Sequence, residues 1–212
     1  MTDGAEPEDR RLEILSVVLL ALAALSTAWA SYQSAQWHGE QAQAQTRATA
    51  SRLESTRASG VANREGQIDV AVFIQWVDAR ARGETDLEAF YEARFRDEFV
   101  PAFDAWIAAE PFTNPDAPLS PFATPEYQLD ATKQAERLEA QATAASEEAR
   151  EDIQRADNYV LAVVLFASAL FFAGMSTKLG TPKARAVILG LGYLVFLGTV
   201  VWIATFPVTV SV

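Results

Sequence analysis

The chain has 212 residues, a formal net charge of −11, one histidine and no cysteine. Without cysteine there can be no disulfide framework, thiolate metal site or cysteine nucleophile. The acidic balance argues against binding to nucleic acid and against docking onto anionic lipid headgroups, because both need basic surfaces. Half of the residues are hydrophobic, and their distribution along the chain is uneven.

Three long runs contain no Asp, Glu, Lys or Arg: residues 14–37, 158–177 and 186–212. Each run is long enough to cross about 30 Å of hydrocarbon as a helix. A buried helix of a soluble protein would explain one such run but not three. The sequence therefore predicts an all-α membrane protein with transmembrane helices at residues 12–30, 158–177 and 186–207.

The first predicted span follows a polar, acidic leader of residues 1–11 that ends in Arg10 and Arg11. A cleaved signal peptide is the alternative, because Ala28-Trp29-Ala30 resembles a small-x-small cleavage site. The acidity of the leader opposes that alternative, as does the polar helical pattern that continues from the apolar run. We expect an uncleaved anchor.

Basic residues near the spans predict the orientation, because Lys and Arg flanking membrane helices favour the cytoplasmic side. They precede the first span and recur in the link at 178–185, whereas none follows the third span. We therefore expect a cytoplasmic N-terminus and link, an extracytoplasmic domain at 31–157 and an outer tail at 208–212. Aromatic residues typical of a membrane interface cluster on the outer side: Trp29, Tyr32, Trp37, Tyr159 and Trp202.

The first helix is predicted to leave the membrane and continue to about Ser59. Its least charged stripe has the alternating four-and-three spacing of a packed helix pair. This spacing predicts a buried seam at Ala35, Gly39, Ala42, Thr46, Thr49, Leu53, Thr56 and Gly60.

A returning helix is predicted to begin with Thr124 as N-cap and Pro125 as first helical residue. Residues 126–173 contain neither Gly nor Pro. The matching stripe is Ala131, Gln134 or Ala135, Leu138, Ala142, Ala145, Ala149, Asp152 or Ile153, and Ala156. Two stripes of matched length predict an antiparallel extracytoplasmic helical bundle that continues two of the membrane helices. Two separate, solvated Ala-rich helices are the alternative.

The segment between the two arms contains the apolar core outside the membrane. Residues 65–82 could form a strand by composition, but the flanking charges and a C-cap at Gly83 favour a helix. Thr85-Asp-Leu-Glu88 is a capping-box pattern that opens an aromatic helical stripe reaching Ile107, and Pro101 should kink or divide that helix. At helical spacing the aromatic stripe indicates a packed core rather than a ligand site.

A connector at residues 110–125 holds five of the nine prolines: Pro111, Pro115, Pro118, Pro121 and Pro125. Such a composition predicts an extended, stiff linker. Its length also suits a partner-binding segment as the alternative.

Candidate chemistry is sparse. His38 and Glu40 follow the first span, while Asp157 and Asn158 precede the second at the same depth, so the four could form a polar cluster at the outer interface. A simple hydrogen bond between paired helices is the alternative. One imidazole without a thiolate argues against a metal site. The sequence contains no phosphate loop, nucleophile elbow or His-Glu-x-x-His motif. We therefore expect that the protein is not an enzyme and that it has no catalytic residue, cofactor or metal.

The order of segments supports a resemblance. Asp-Asn-Tyr-Val-Leu-Ala-Val-Val-Leu-Phe-Ala-Ser-Ala-Leu-Phe-Phe-Ala-Gly (157–174) enters the second span, and Trp-Ala-Ser-Tyr-Gln (29–33) leaves the first. The chain resembles a group of uncharacterised bacterial three-span membrane proteins with an extracytoplasmic helical domain. The resemblance implies a bacterial plasma membrane and carries no activity or functional residue.

Two functions are compatible with these features. The first is a non-enzymatic interaction, scaffolding or sensing module that acts through the acidic extracytoplasmic domain, with the lipid bilayer and a membrane protein or second copy as partners, and no nucleic acid. The alternative is a homo-oligomeric cation channel, whose pore could be lined by Ser26, Thr27, Ser168 and Thr199.

Overall fold

A computed structural model of the chain describes residues 7–209, and that part is helical without any strand. Its elements, in chain order, are α1 (Pro7–Arg82), α2 (Thr85–Glu92), α3 (Val100–Ala108), a 3₁₀ helix (Pro121–Ala123), α4 (Asp130–Ser176) and α5 (Pro182–Ile203). The all-α prediction is confirmed. Three of these helices, α1, α4 and α5, contain segments long and apolar enough to cross a membrane.

Helix α1 is a single helix of 76 residues, so the predicted end near Ser59 is wrong. Gly60 and Gly66 lie inside it. An interior glycine costs only about 1 kcal/mol and does not interrupt the hydrogen-bond ladder. Gly83 does end the helix, with φ of +70°, and its amide donates to Arg80 O at 3.0 Å while Glu84 N donates to Ala79 O at 3.0 Å. These bonds form a Schellman motif, which confirms the predicted C-cap.

The region after Gly83 departs from its prediction in two ways. Thr85 is the first residue of α2 rather than its cap, and the N-cap Glu84 makes no side-chain capping bond. The chain also leaves the helix at residues 93–99, before Pro101, which occupies the first turn of α3. Proline is tolerated there because the amides of a first turn need no intrahelical acceptor. The division of the predicted helix is therefore confirmed, but it lies upstream of the proline.

Helix α4 begins at Asp130, so the predicted start at Thr124 and Pro125 is wrong. Thr124 instead follows the 3₁₀ helix, and its hydroxyl donates to Pro121 O at 2.7 Å. The first amide of α4, at Asp130, donates to the Glu98 carboxylate at 3.2 Å. A carboxylate distant in sequence thus caps the helix, which no local pattern reveals.

The predicted stripe on α4 is confirmed, since Ala135, Ala142, Ala149, Asp152 and Ala156 are all buried. The stripe predicted on α1 is wrong: its residues are exposed from Ala35 to Thr56. The buried face of α1 lies on the other side of the helix and consists of Trp37, Ala44, Ala48, Ser55, Ala58 and Ala62. Both faces carry small uncharged residues at the same spacing, so composition alone does not distinguish them.

The structure divides into two compact units. Unit 1 comprises residues 1–46 and 145–212, of which 7–46 and 145–209 are described. Its buried core combines residues of α1, α4 and α5: Leu19, Ala23, Ala30, Trp37, Ala156, Tyr159, Ala162, Phe166, Ala169, Ala173, Leu189 and Phe196. Outward-facing apolar side chains surround this core, among them Leu25 at 69%, Val187 at 71% and Leu194 at 70% exposure.

Close packing in unit 1 depends on small residues. A Cβ added at Gly192 would lie 3.1 Å from Leu19 Cδ2 and 3.3 Å from Phe172 Cβ, so only glycine fits without a shift. Ser16 and Ser176 are buried and their hydroxyls are 3.1 Å apart.

An ion pair also joins α1 to α5 in unit 1, since Arg185 pairs with Asp9 at 3.1 Å.

Unit 2 comprises residues 47–144. Its core is aromatic and is built from α1 and from the segment around α3: Phe73, Trp76, Phe99, Phe103 and Trp106. The rings meet mainly edge to face, with 5.3 Å between the centroids of Phe73 and Trp106 and 4.9 Å between those of Trp76 and Phe103. This geometry is favourable for aromatic quadrupoles. From Phe99 to Trp106 the aromatic stripe is therefore core, as predicted, whereas Phe90 in α2 is 46% exposed.

Candidate functional site

The proline-rich connector of unit 2 is packed onto the aromatic core. Trp106 Nε1 donates to Pro118 O at 2.8 Å, and Pro121 is buried. Phe122 stacks on Phe99 with 5.2 Å between ring centroids. The guanidinium of Arg80 lies over the Phe112 ring at 4.7 Å. The connector therefore has a defined position and forms one wall of the site described below.

A buried ionic cluster joins α1 to the segments that precede α3 and α4. The Asp69 carboxylate is 2% exposed and accepts hydrogen bonds from Arg96 Nη1 at 3.0 Å and from the Tyr127 hydroxyl at 3.1 Å. Arg96 also pairs with Glu65 at 3.1 Å and with Glu98. Three carboxylates thus share one guanidinium, so the cluster carries excess negative charge.

Burial raises the pKa of Asp69 above its ordinary value of 3.8, against the hydrogen bond from Tyr127 and the charge of Arg96. Burial also raises the pKa of Tyr127, and the neighbouring Asp69 adds to that rise. For Arg96, burial lowers the pKa, but Asp69, Glu65 and Glu98 more than offset it and the net direction is upward. Arg96 and Tyr127 therefore stay protonated and serve as permanent donors to Asp69.

An open groove runs along unit 2 beside this cluster, between α1 and the start of α4; we name it the α1–α4 groove. Its first section has a volume of about 630 Å³, and its second about 550 Å³. The sections share Ala62, Asn63 and Thr132, so they are continuous. The first section is lined further by Gly66, Gln67, Val70, Ala71, Ile74, Phe122, Tyr127 and Leu129, and the second by Ser55, Thr56, Ser59, Ala135, Glu136 and Glu139.

The two sections differ in charge. The first has no charged residue in its lining, and it exposes Val70 and Ile74, the latter to 56%. In the second section Glu136 and Glu139 are the charged residues that line it. Lys133 lies in a neighbouring pocket and pairs with Asp130 at 3.6 Å. The groove is therefore apolar at one end and acidic at the other.

The aromatic wall of the first section is held in place by contacts with the rest of unit 2. Tyr127 lines it, and its hydroxyl is held by Asp69, while its ring contacts Phe122 edge to face with 5.0 Å between centroids. The floor includes Gly66, where an added Cβ would meet only the Tyr127 hydroxyl at 3.5 Å, an ordinary contact. The first section thus has one aromatic wall beside a floor of small residues.

The predicted polar cluster in unit 1 remains a prediction. His38 and Asp157 are exposed, and Glu40 and Asn158 are half-buried. Within residues 7–209 no side-chain hydrogen bond or ion pair joins the four. What the structure places beside them is Arg155, which lies over the Trp37 ring at 4.8 Å and pairs with the buried Asp152 at 2.7 Å.

The five predicted interface aromatics occupy different surroundings. Trp29 and Tyr32 are 45% and 43% exposed, with 6.0 Å between their ring centroids. Trp37 and Tyr159 are buried in the core of unit 1, and Trp202 is half-buried against Phe206. Their placement at a membrane interface stays a prediction.

A second arrangement in unit 1 was missed by the sequence analysis. The buried Gln33 side chain donates to Thr209 O at 3.1 Å and accepts from Thr209 N at 3.1 Å. The Tyr159 hydroxyl donates to Pro207 O at 3.1 Å. Thr209 is thereby fastened to α1 and Pro207 to α4. Because the partners of Gln33 are backbone groups far away in sequence, no local signal could reveal this contact.

These features define a helical protein with three helices suited to spanning a membrane and a groove in unit 2. Among the described residues, no group of three or more His, Cys, Asp or Glu side chains could hold a metal ion. Comparison of the chain with protein-family models, curated proteins and solved structures finds no match.

Proposed function

We propose that the chain is an integral membrane protein that spans the membrane three times and binds another protein through the α1–α4 groove. The groove carries this proposal. It exposes apolar side chains beside an aromatic wall, which is typical of protein-recognition surfaces.

The membrane part of the proposal is supported by the outer surface of unit 1. Large apolar side chains such as Leu25 and Val187 face outward from a core that is already filled. Water would penalise such a surface, whereas lipid solvates it. The basic residues at 10–11 and 178–185 favour a cytoplasmic N-terminus and link, with residues 31–157 outside a bacterial plasma membrane.

In this arrangement α1 and α4 are antiparallel arms of a bundle. Contacts within each unit support it. In unit 1 Ser16 meets Ser176 and Trp37 meets Arg155, so the partner position moves backwards along α4 as the position advances along α1, as expected for antiparallel helices. In unit 2 the Ser55 hydroxyl donates to Ala135 O at 2.9 Å. The buried alanines on both arms permit a close approach of the backbones.

Thiol labelling tests the orientation. Asp116→Cys and Thr143→Cys place thiols at exposed positions of unit 2, and Thr181→Cys places one at an exposed position in the link before α5. We expect an impermeant maleimide to label the first two in intact cells and the third only after lysis. Labelling of Thr181→Cys alone in intact cells would reject the proposed topology.

Photo-crosslinking in cells tests the binding function. A benzoylphenylalanine at Gln67 would lie in the groove, whereas the same residue at Ile68 would be exposed on α1 but outside the groove lining. We expect a discrete protein adduct from position 67 and none from position 68. Absence of any adduct from position 67, or equal adducts from both positions, would contradict a binding role for the groove.

The alternative, a homo-oligomeric cation channel, has less support. Three of the four hydroxyls proposed to line a pore donate to their own helix: Thr27 to Ala23, Ser168 to Val164 and Thr199 to Val195. A channel also needs several copies, because three helices do not enclose a pore. A multimeric particle that gives saturable cation flux in liposomes would favour the channel instead.

A further inference from the structure

From the groove's shape and charge we infer the chemistry of its occupant: an α-helix of a partner protein, apolar along one face and carrying Lys or Arg at one end. The inference rests on the proposed binding function and names the partner's chemistry. Four properties of the groove lead to it, namely its length, its floor, its walls and the placement of its charges.

The length suits a helix. The α1 side of the groove extends from Ser55 to Ile74. At the rise of an α-helix this segment is about 30 Å long and would match a partner helix of about 20 residues. The groove follows α1 over its whole length, with α4 opposite at Thr132–Glu139 and the aromatic wall opposite at the other end, so a partner helix can lie along α1. Helix-in-groove recognition uses anchors at helical spacing over such a length.

The floor and walls favour close packing of that helix. Small residues line the floor, including Ser59, Ala62 and Gly66, and they let a neighbouring backbone approach. Phe122 and Tyr127 form an aromatic wall that the core and the Asp69 carboxylate hold in place. A wall that is rigid before binding reduces the entropy lost on binding.

The charges set the direction and composition of the helix. At the Ile74 end an apolar face would contact Val70 and Ile74 without meeting any charge. At the Ser55 end Glu136 and Glu139 line the groove without a basic residue beside them in that lining. Lys or Arg on the partner would be complementary to these carboxylates, whereas Asp or Glu would be repelled.

The test uses the full chain in nanodiscs of neutral phosphatidylcholine, with empty nanodiscs as the blank. The probe is a fluorescein-labelled synthetic peptide of about 20 residues with leucines along one helical face and three lysines in its last turn. A second peptide has glutamates in place of those lysines. A third keeps the lysines but has two prolines that prevent helix formation. Binding is measured by fluorescence anisotropy.

Two variants of the chain give a matched comparison. Gly66→Leu places a side chain in the groove, whereas Gly60→Leu makes the same change on α1 outside the groove lining, where an added Cβ would meet only Arg64 Nη1 at 3.6 Å. Asn63→Trp, at an exposed groove position, provides a second block should Gly66→Leu fail to fold.

We expect the lysine helix to bind, and Gly66→Leu or Asn63→Trp to weaken it by more than about tenfold while Gly60→Leu leaves it unchanged. Glu136→Gln with Glu139→Gln should remove the preference for the lysine peptide over the glutamate peptide. Equal binding of the glutamate peptide or the proline peptide to the unmodified chain would overturn the inferred chemistry. Finding that the chain forms a dimer which Gly66→Leu dissociates would also overturn it, since the occupant of the groove would then be a second copy of the chain.

The outcomes separate this inference from the proposed function. If no peptide binds but position 67 still gives a protein adduct in cells, the helix inference fails and the binding function stands. If neither peptides nor adducts are found, both fail.

Discussion

The Tyr127 hydroxyl donates a hydrogen bond to Asp69 at 3.1 Å, across 58 residues of sequence. This bond joins α1 to the segment that precedes α4 and fixes the aromatic wall of the α1–α4 groove. Because Arg96 Nη1 donates to the same carboxylate oxygen, a single buried acid orients two donors from different parts of unit 2.

Tyr127→Phe should destabilise unit 2 by about 2 kcal/mol, since it leaves a buried carboxylate with one donor fewer. Tryptophan fluorescence during denaturant unfolding reports the change, because Trp76 and Trp106 lie in the core of unit 2. Tyr91→Phe is the control: Tyr91 packs against the same core, and its hydroxyl makes no hydrogen bond among the described residues. Equal effects of the two variants would show that the bond to Asp69 contributes little.

Asp69 should make the stability of unit 2 fall as pH rises. Burial raises its pKa in the folded state, so between 3.8 and that raised value the folded chain binds more protons than the unfolded chain. The free energy of unfolding therefore decreases as pH rises through this window. Outside the window Asp69 contributes no pH dependence. The groups facing Asp69 are Glu65, Arg96, Glu98 and Tyr127.

Comparison with Asp69→Asn isolates this contribution. Relative to the variant, the unmodified chain should gain stability as pH is lowered from neutral through the window, measured by denaturant unfolding at several pH values. Asp104→Asn, at an exposed position, should follow the unmodified chain at every pH. A difference between the unmodified chain and Asp69→Asn that does not vary with pH would contradict the prediction.

The two faces of α1 can be distinguished by making the same substitution at two nearby positions. Ala44 is fully buried. Ala44→Asp should therefore cost about 3 kcal/mol or more by placing an unpaired charge in the packed face. Ala42 is exposed. Ala42→Asp should change the stability by no more than about 0.5 kcal/mol, as is usual for surface substitutions. Thermal melts in mild detergent compare the stabilities of the two variants. A larger loss of stability for Ala42→Asp than for Ala44→Asp would show that the face predicted from the sequence is the buried one.

Gln33→Leu should release the tail at Thr209, because it removes two hydrogen bonds from a buried position. Each such bond contributes about 1 kcal/mol. We expect carboxypeptidase to trim the variant through Thr209 faster than the unmodified chain, as followed by intact mass. Gln43→Leu makes the same change at an exposed position of α1 and should leave the trimming rate unchanged. Identical rates for all three chains would mean that Gln33 does not retain the tail.

The sequence by itself determined the all-α class, the three helices suited to a membrane and the buried stripe of α4. Uncharged runs of span length and heptad-like alanines are local patterns, so hydrophobic periodicity reveals them. The helix end at Gly83 belongs with them, because a positive φ there requires only local backbone geometry.

Only the tertiary structure decided which face of α1 is buried, where α4 begins and where the groove lies. Two faces of α1 have equivalent small residues, and the choice between them depends on the fit with the rest of the fold. Glu98 caps α4 from 32 residues away, and Asp69 joins Arg96 and Tyr127 across 27 and 58 residues. Such contacts have no periodicity, because they depend on distances that exist only once the chain has folded.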